Sequence, residues 1–112
     1  MESLNKIEIR GIVGQVNFTT VGDKKHANFS VMTETAARSS QDGSAVVDTT
    51  WFNVSAWEGP KNGIDNLEKG SVVYLLGRIR IRCVETANGS EKILPEVVAN
   101  EVRVERKKSK EG

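Results

Sequence analysis

Residues 46–57 read V-V-D-T-T-W-F-N-V-S-A-W, and this stretch decides the fold. Alternate residues of a β-strand project to opposite faces. One face would carry Thr50, Phe52, Val54 and Ala56. The other would carry Trp51, Asn53, Ser55 and Trp57. The alternation therefore predicts a strand with its more apolar face turned inward and two tryptophans on the opposite, polar face.

Four other stretches show strand-like alternation and are separated by turn-forming residues. They span residues 6–18, 26–34, 71–85 and 93–104. A change of phase at Gly11 indicates a bulge or sharp bend in the first of them. The Asn88-Gly89 dipeptide predicts a hairpin between the last two, and Pro95 predicts an edge or a bulge in the fifth. Residues 37–45 are expected to form a polar loop.

A short helix is the most that residues 64–69 can form, and it would lie between the third and fourth strands. This order of elements is that of a Greek-key barrel. We therefore predict an all-β chain folded as a five-stranded Greek-key OB-fold barrel with a short helical segment between strands 3 and 4. The pattern alone leaves open another small barrel of similar strand count.

Length and composition narrow the class of protein. The chain has 112 residues and a net charge of +1, so an electropositive site has to come from local clustering. Its length suits one domain, which we place at residues 1–104, followed by a basic, flexible C-terminal tail at residues 105–112. No apolar run is long enough to span a membrane, and the first residues lack a secretory signal. We expect a cytoplasmic, nucleoid-associated protein without a membrane partner.

The two tryptophans are the first candidate binding residues. Trp51 and Trp57 would lie roughly 20 Å apart along the strand, which is enough to serve several successive bases of an extended nucleic-acid strand. Stacking of a base on an aromatic ring contributes about 1–3 kcal/mol and tolerates any base. The alternative is that this face is buried against a partner subunit or a loop. Two tryptophans separated by polar residues favour the binding interpretation.

The fourth strand supplies a stripe of positive charge. Arg78, Arg80 and Arg82 share one of its faces, where guanidinium groups could follow phosphates or stack on bases. No acidic residue lies within the stripe, and Glu85 is the nearest one after it. A solvated face is the alternative interpretation. Beside a strand with two tryptophans, the stripe would complete a single-strand binding groove.

Catalytic chemistry has little support in the sequence. One histidine, His26, and one cysteine, Cys83, are too few for a metal cluster. Cys83 shares the apolar face of the fourth strand with Ile79 and Ile81, which predicts a core thiol. No phosphate-binding glycine loop or nucleophile elbow is present, and no carboxylate pair stands out. We therefore expect no enzyme activity, no cofactor and no metal.

Five segments of the sequence match a known family pattern, at residues 4–14, 27–33, 50–57, 67–80 and 96–99. These segments resemble the bacterial single-stranded DNA-binding protein family. Together they extend in register from about residue 4 to residue 102, which is nearly the whole chain.

The resemblance implies an OB-fold that binds and protects single-stranded DNA in replication, recombination or repair, without sequence preference. It also implies a homo-oligomer, with a tetramer favoured and a dimer possible. Trp51 and Trp57 match stacking positions of the family, whereas two further aromatic positions fall on Ala37 and Val84. The basic positions that match the family's contacts are Lys6, Arg38, Arg80 and Arg82.

The end of the chain departs from the family pattern. Members usually carry a flexible linker and an acidic tip that recruits replication and repair proteins, whereas this sequence ends in K-S-K-E-G. We therefore expect a short form without the recruiting tip, either trimmed or naturally tail-less. Two other functions stay open at this point. One is a primosome-type adaptor that bridges replication proteins and binds single-stranded DNA weakly, and the other is an RNA-binding OB domain.

Overall fold

A computed structural model describes residues 1–107, which form five β-strands and one short 3-10 helix. The strands are β1 (Ile7–Val21), β2 (Lys24–Arg38), β3 (Ala45–Trp57), β4 (Val72–Glu85) and β5 (Glu91–Arg106). The 3-10 helix, Ile64–Asn66, lies between β3 and β4 and is shorter than the predicted helical segment. No helix in this range has the length and apolar character needed to cross a membrane.

The strands close into a barrel in the order β1-β2-β3-β5-β4. The ring can close because β1 changes partner along its length, pairing with β4 through residues 7–12 and with β2 through residues 12–21. Neighbouring strands are antiparallel except for β3 and β5, which run parallel. The all-β class and the five-stranded OB-type barrel are therefore confirmed.

Side chains from all five strands fill the barrel. Val13, Val31, Val54, Val73 and Leu75 are among the most deeply buried of them. Ile64 adds the 3-10 helix to the same core. In β3, Val54 and Ala56 are buried and Phe52 packs against the core, as the alternation predicts, whereas Thr50 lies on a part of the strand that has left the barrel and is exposed.

The bulge in β1 lies beyond the predicted position. Gly11 pairs regularly with Val73, and the register shifts between Val13 and Val16 instead. The change of phase at Gly11 has a different cause, since β1 exchanges its β4 partner for β2 at the next residue, Ile12.

The prediction of a core thiol at Cys83 is wrong. Cys83 is exposed, and so are Ile79 and Ile81 on the same face. The reason is that β4 pairs with β1 only as far as Gly77, and β5 pairs with β3 only at Val97 and Val98. Beyond Ile79, β4 and β5 therefore continue as a two-stranded ribbon. Both faces of such a ribbon can meet solvent, so alternation no longer separates a core face from a surface face.

The ribbon formed by β2 and β3 is longer than expected. The pairing extends to Arg38 and Ala45, so the loop consists of residues 39–44 rather than the predicted 37–45. Asp42 orders this turn by accepting hydrogen bonds from the Ser44 amide at 2.9 Å and its hydroxyl at 2.6 Å. These bonds hold the pKa of Asp42 below its usual range.

At its far end, β5 continues two residues past the predicted limit of the domain, to Arg106. Glu105 accepts a hydrogen bond from Arg10 of β1 at 2.6 Å, which lowers the pKa of the Glu105 carboxyl. Most of the predicted basic tail, residues 108–112, lies outside the described residues. The division into a domain 1–104 and a tail 105–112 therefore stays a prediction.

Gly77 offers a test of the barrel geometry. It lies at an irregularity where β4 passes so close to β5 that an added Cβ would be 2.2 Å from the Val98 carbonyl oxygen. The atoms it would meet belong to the main chain of β5, which cannot move without disturbing the strand pairing. Gly77→Ala is therefore expected to lower the free energy of unfolding, measured with urea, by about 1–3 kcal/mol. Gly59→Ala is the matched control, because nothing lies within 4 Å of its Cβ position. Equal unfolding midpoints for the two variants would contradict this geometry.

Candidate nucleic-acid interface

Both tryptophans lie on the outer face of β3. Trp51 is 57% exposed and Trp57 is 44% exposed, while Val54 between them is buried. Each ring therefore projects away from the barrel core and leaves a large part of its surface for a ligand. Large exposed aromatic rings of this kind are typical of binding surfaces.

Trp57 is held from one side by His26, its cross-strand partner on β2. The two rings meet edge to face with centroids 4.6 Å apart. His26 is itself fixed by a hydrogen bond of 2.7 Å between its Nε2 and the Ser55 hydroxyl, which leaves Ser55 covered rather than exposed. The side-chain amide of Asn62 also donates a hydrogen bond to the Trp57 carbonyl oxygen at 2.8 Å. Trp57 is thus a positioned ring rather than a freely rotating one.

Trp51 lies across the bulge of β1. A Cβ added at Gly14 would be 2.5 Å from the Trp51 ring and 2.7 Å from the Ser30 hydroxyl oxygen. The ring therefore occupies space that a side chain at residue 14 would fill. Ser30 supports the same place, because its hydroxyl accepts a hydrogen bond from the Gln15 amide at 3.0 Å. One side of the Trp51 ring therefore packs against the bulge at Gly14, and the other side is left for a ligand.

The arginine stripe lies two strands from the tryptophans and on the same side. Ser55 of β3 pairs with Val98 of β5, and Val98 pairs with Arg78 of β4. Residues in register on neighbouring strands project to the same face, so Arg78 belongs to the outer surface that carries Trp57. Two strand spacings amount to roughly 10 Å. One extended strand of nucleic acid could therefore meet rings and guanidinium groups together.

Two of the three arginines share an acidic partner across the ribbon. Arg80 Nε donates to Glu96 Oε1 at 3.0 Å, and an Arg82 terminal nitrogen lies 3.7 Å from Glu96 Oε2. Arg78 forms no ion pair within residues 1–107. The stripe is therefore partly neutralised, although no acidic residue lies within it in the sequence.

A cleft of about 250 Å3 joins the stripe to the face that carries the tryptophans, and we call it the polar cleft. The polar side chains that line it come from all five strands and are Asn17, Asn28, Ser30, Asn53, Arg82 and Glu96. The side-chain amide of each of the three asparagines offers both hydrogen-bond donors and an acceptor. The cleft can therefore bind base edges, sugars or phosphates without requiring one particular base.

A second cleft of about 330 Å3 adjoins the first and shares Asn53, Pro95 and Glu96 with it. Trp51 forms one wall, and its other lining is largely apolar, including Ile7 and Ile79. We call it the apolar cleft. It extends the stacking surface of Trp51 towards the ribbon of β4 and β5.

Lys6 and Arg38 lie at the margins of this surface. Lys6 is held near the stripe because Asn5 beside it exchanges two hydrogen bonds with the main chain of Ile79, at 2.7 and 3.0 Å. Arg38 shares a face with Trp51, but it lies at the far end of the ribbon of β2 and β3 and lines neither cleft. Its nearest polar contact is the Gly43 carbonyl oxygen at 3.5 Å.

Metal chemistry has no site in the part of the chain that the structure describes. No group of three or more His, Cys, Asp or Glu residues is placed to hold an ion there. What residues 1–107 do offer is a surface for stacking, hydrogen bonding and ion pairing.

Sequence reasoning placed Asn53 on the face that carries the tryptophans, but it missed Asn17, Asn28 and Glu96. Asn17 and Asn28 could have been found from the register, because a two-residue turn at Gly22-Asp23 places these two residues opposite each other, as the structure has them. Glu96 could not have been found in this way, since a two-residue turn at Asn88-Gly89 would place it opposite Ile81 rather than Arg80. The actual loop is one residue longer and ends on Gly89 with φ 84°, and this places Glu96 opposite Arg80.

Comparisons with known proteins identify the family of this chain. The family model described as "Single-strand binding protein family" matches residues 4–105. The single-stranded DNA-binding proteins of Neisseria meningitidis serogroups A and B are each 32% identical over 106 residues, covering 91% of this chain and 60% of theirs. The chain therefore spans about 60% of the length of these curated relatives.

Solved structures give the same result. The structure of Plasmodium falciparum SSB in complex with ssDNA superposes with a TM-score of 0.79 at 27% identity, over 92% of this chain and 94% of that one. A deletion mutant of the single-stranded DNA binding protein from Thermus aquaticus gives a TM-score of 0.72 at 19% identity, over 90% of this chain and 50% of that one. At that identity, the second likeness shows a shared fold alone.

The family model covers nearly the whole described chain, and the Neisseria relatives are more than 30% identical to it. The chain thus belongs to the single-strand binding protein family.

Proposed function

We propose that this protein binds single-stranded DNA without sequence preference and protects it during replication, recombination or repair, without catalysing a reaction. The observation that carries the proposal is one continuous outer surface on which Trp51 and Trp57 lie beside the arginine stripe, with the polar cleft between them. Family membership and the ssDNA-bound relative from Plasmodium falciparum support it.

Binding begins with charge and is completed by stacking. The net charge of the chain is only +1, so the attraction comes from the local group of Lys6 and the arginine stripe rather than from the whole protein. Phosphates that approach this group release counterions, which favours association at low salt. Unpaired bases then stack on the two tryptophans, and duplex DNA cannot do so because its bases are already stacked.

Sequence independence follows from the kinds of groups present. Every base has a π-face, and every nucleotide has a phosphate, so rings and guanidinium groups bind all of them. The cleft amides can present either a donor or an acceptor to a base edge. A surface of this composition holds a strand extended rather than selecting one sequence.

Intrinsic tryptophan fluorescence tests the proposal directly. Titration with oligo-dT should quench the emission strongly, and the quenching should weaken as salt rises. Duplex DNA of the same length should give little quenching, and oligo-U should bind no better than oligo-dT. Absence of quenching by oligo-dT at low salt would contradict the proposal and place the tryptophans in a protein interface.

Replacing either tryptophan by alanine should weaken binding. We expect Trp51→Ala and Trp57→Ala each to cost about 1–3 kcal/mol in binding to oligo-dT, measured by fluorescence anisotropy of a labelled oligonucleotide. The phenylalanine variants at the same positions are the matched controls, because they keep a stacking ring and should lose less. Affinity equal to that of the unsubstituted chain in both alanine variants would exclude the stacking mechanism.

Removing the unpaired arginine should change the salt dependence. Arg78→Gln is expected to reduce the slope of log Kobs against log salt concentration by about 0.7, the value for one phosphate contact on a single strand. Lys69→Gln removes an equal charge in the segment before β4, at a residue that lines neither cleft, and should leave the slope unchanged. Equal slopes for the two variants would mean that Arg78 contacts no phosphate.

The assembly we propose is a homotetramer. The outer faces of β1, β4 and β5 offer one of its two-fold contacts, because charges of both signs lie there around an aromatic ring. Tyr74 donates a hydrogen bond to Glu8, and the Arg10 and Arg103 guanidinium groups lie 5.4 and 4.9 Å from its ring centroid. Such a surface can be self-complementary, as a two-fold contact requires.

Sedimentation velocity measures this assembly. The expected species is a tetramer that persists at micromolar concentration and binds oligo-dT tightly. A stable dimer with weak affinity for oligo-dT would contradict both the tetramer and a protective role.

A further inference from the structure

Glu96 is the acidic residue among the described residues that line the polar cleft, and it also lines the apolar cleft. Arg80 donates to its Oε1 through both Nε and a terminal nitrogen, and Arg82 lies 3.7 Å from its Oε2. The Glu96 side chain is only 12% exposed, whereas those of Arg80 and Arg82 are 44% and 55% exposed. One shielded carboxylate thus holds two arginines that remain open to solvent.

A carboxylate and a phosphate compete for the same guanidinium donors. Both are anions that accept parallel N–H hydrogen bonds from arginine. Donors of Arg80 that point at Glu96 cannot bind a phosphate until that contact is broken or shared. A phosphate in the cleft would also lie close to the negative charge of Glu96, and this repulsion is stronger where a carboxylate is shielded from water.

We propose that Glu96 acts as an internal competitor of DNA phosphates for Arg80 and Arg82, and so limits the affinity of this surface for single-stranded DNA. The inference rests on the proposed function. In the free protein, Glu96 neutralises half of the charge that the two arginines present. On binding, the guanidinium groups turn from Glu96 to the phosphates, and the carboxylate is left behind.

Such competition gives the protein an advantage in turnover. A protein that protects single-stranded DNA also has to release it, and affinity differences between related complexes lie mostly in the dissociation rate. Glu96 remains beside its arginines in the complex and can recapture them when a phosphate moves away. Release then costs less than it would from two arginines without a partner.

A positioning role for Glu96 would have the opposite consequence. If the carboxylate served to extend the guanidinium groups towards DNA, its removal would disorder them and weaken binding. The sign of the change in affinity when the charge of Glu96 is removed therefore separates competition from positioning.

Glu96→Gln tests the competition, because it removes the charge and keeps a hydrogen-bond acceptor of the same shape. We expect it to bind oligo-dT about two- to fivefold more tightly near 0.1 M salt, the range for loss of one partly exposed ion pair. The slope of log Kobs against log salt concentration should become steeper by up to about 0.7 for each phosphate gained. A steeper slope is a result that a purely structural role would not produce.

Glu91→Gln is the matched control. It makes the same change of charge on the same strand, and Glu91 forms no ion pair within residues 1–107. It should change affinity and slope less than Glu96→Gln does. Circular dichroism and thermal unfolding of both variants establish that each keeps the barrel.

A double-mutant cycle with Arg80→Gln identifies the group through which Glu96 acts. The gain from Glu96→Gln should fall by half or more when Arg80 is already neutral. Weaker or unchanged binding by Glu96→Gln, an equal gain from Glu91→Gln, or the full gain in the Arg80→Gln background would each overturn the inference. Failure of the unsubstituted chain to bind oligo-dT would overturn the proposed function itself, and the two failures are therefore distinguishable.

Discussion

A short parallel contact between β3 and β5 is the constraint on which the rest of the structure depends. It joins Val54 to Val97 and Ser55 to Val98. On its inner side, Val54 and Val97 complete the core. On its outer side, the same contact places the strand that carries the tryptophans next to the pair of strands that carry the arginines and Glu96. The contact that closes the barrel therefore also brings together the residues of the candidate binding surface.

The site also depends on where the strands leave the barrel. Up to Gly77, β4 is enclosed by β1 and β5, and its side chains divide cleanly into core and surface. Past Ile79, the β4–β5 pair continues as a ribbon whose base forms one wall of both clefts. The other wall is the outer face of the β2–β3 pair, on which the bulge in β1 seats Trp51. The closed barrel keeps the strands rigid, and the β2–β3 and β4–β5 ribbons that extend from it form the walls of the two clefts.

Sequence pattern was sufficient wherever one strand lay between a core and solvent. The alternation in residues 51–57 predicted which face of β3 carries the tryptophans. The structure agrees because β3 pairs with β2 along this stretch and with β5 at its centre, at Val54 and Ser55. The same reasoning failed at Cys83, since alternation states only that side chains face opposite ways. It does not state whether a second layer covers either face.

Register was the other limit. The arginine stripe was visible in the sequence, but its partner Glu96 was not, because one additional residue in the loop between β4 and β5 changes which residues lie opposite each other. The tight turn between β1 and β2 shows the converse, since its two-residue length brings Asn17 opposite Asn28. Long-range side-chain pairs can be inferred from a strand pattern only when the turn geometry between the strands is known.

The exchange of partners along β1 has a consequence for how the chain folds. Residues 7–12 pair with β4, so the first part of the first strand has no barrel neighbour until most of the chain is present. The β1–β2 and β2–β3 hairpins can form earlier, from segments that are adjacent in sequence. Bringing distant segments together costs chain entropy before any contact is gained, which places barrels of this kind among the slower-folding small domains. During synthesis, residues 7–12 of β1 would thus stay unpaired until β4 has emerged from the ribosome.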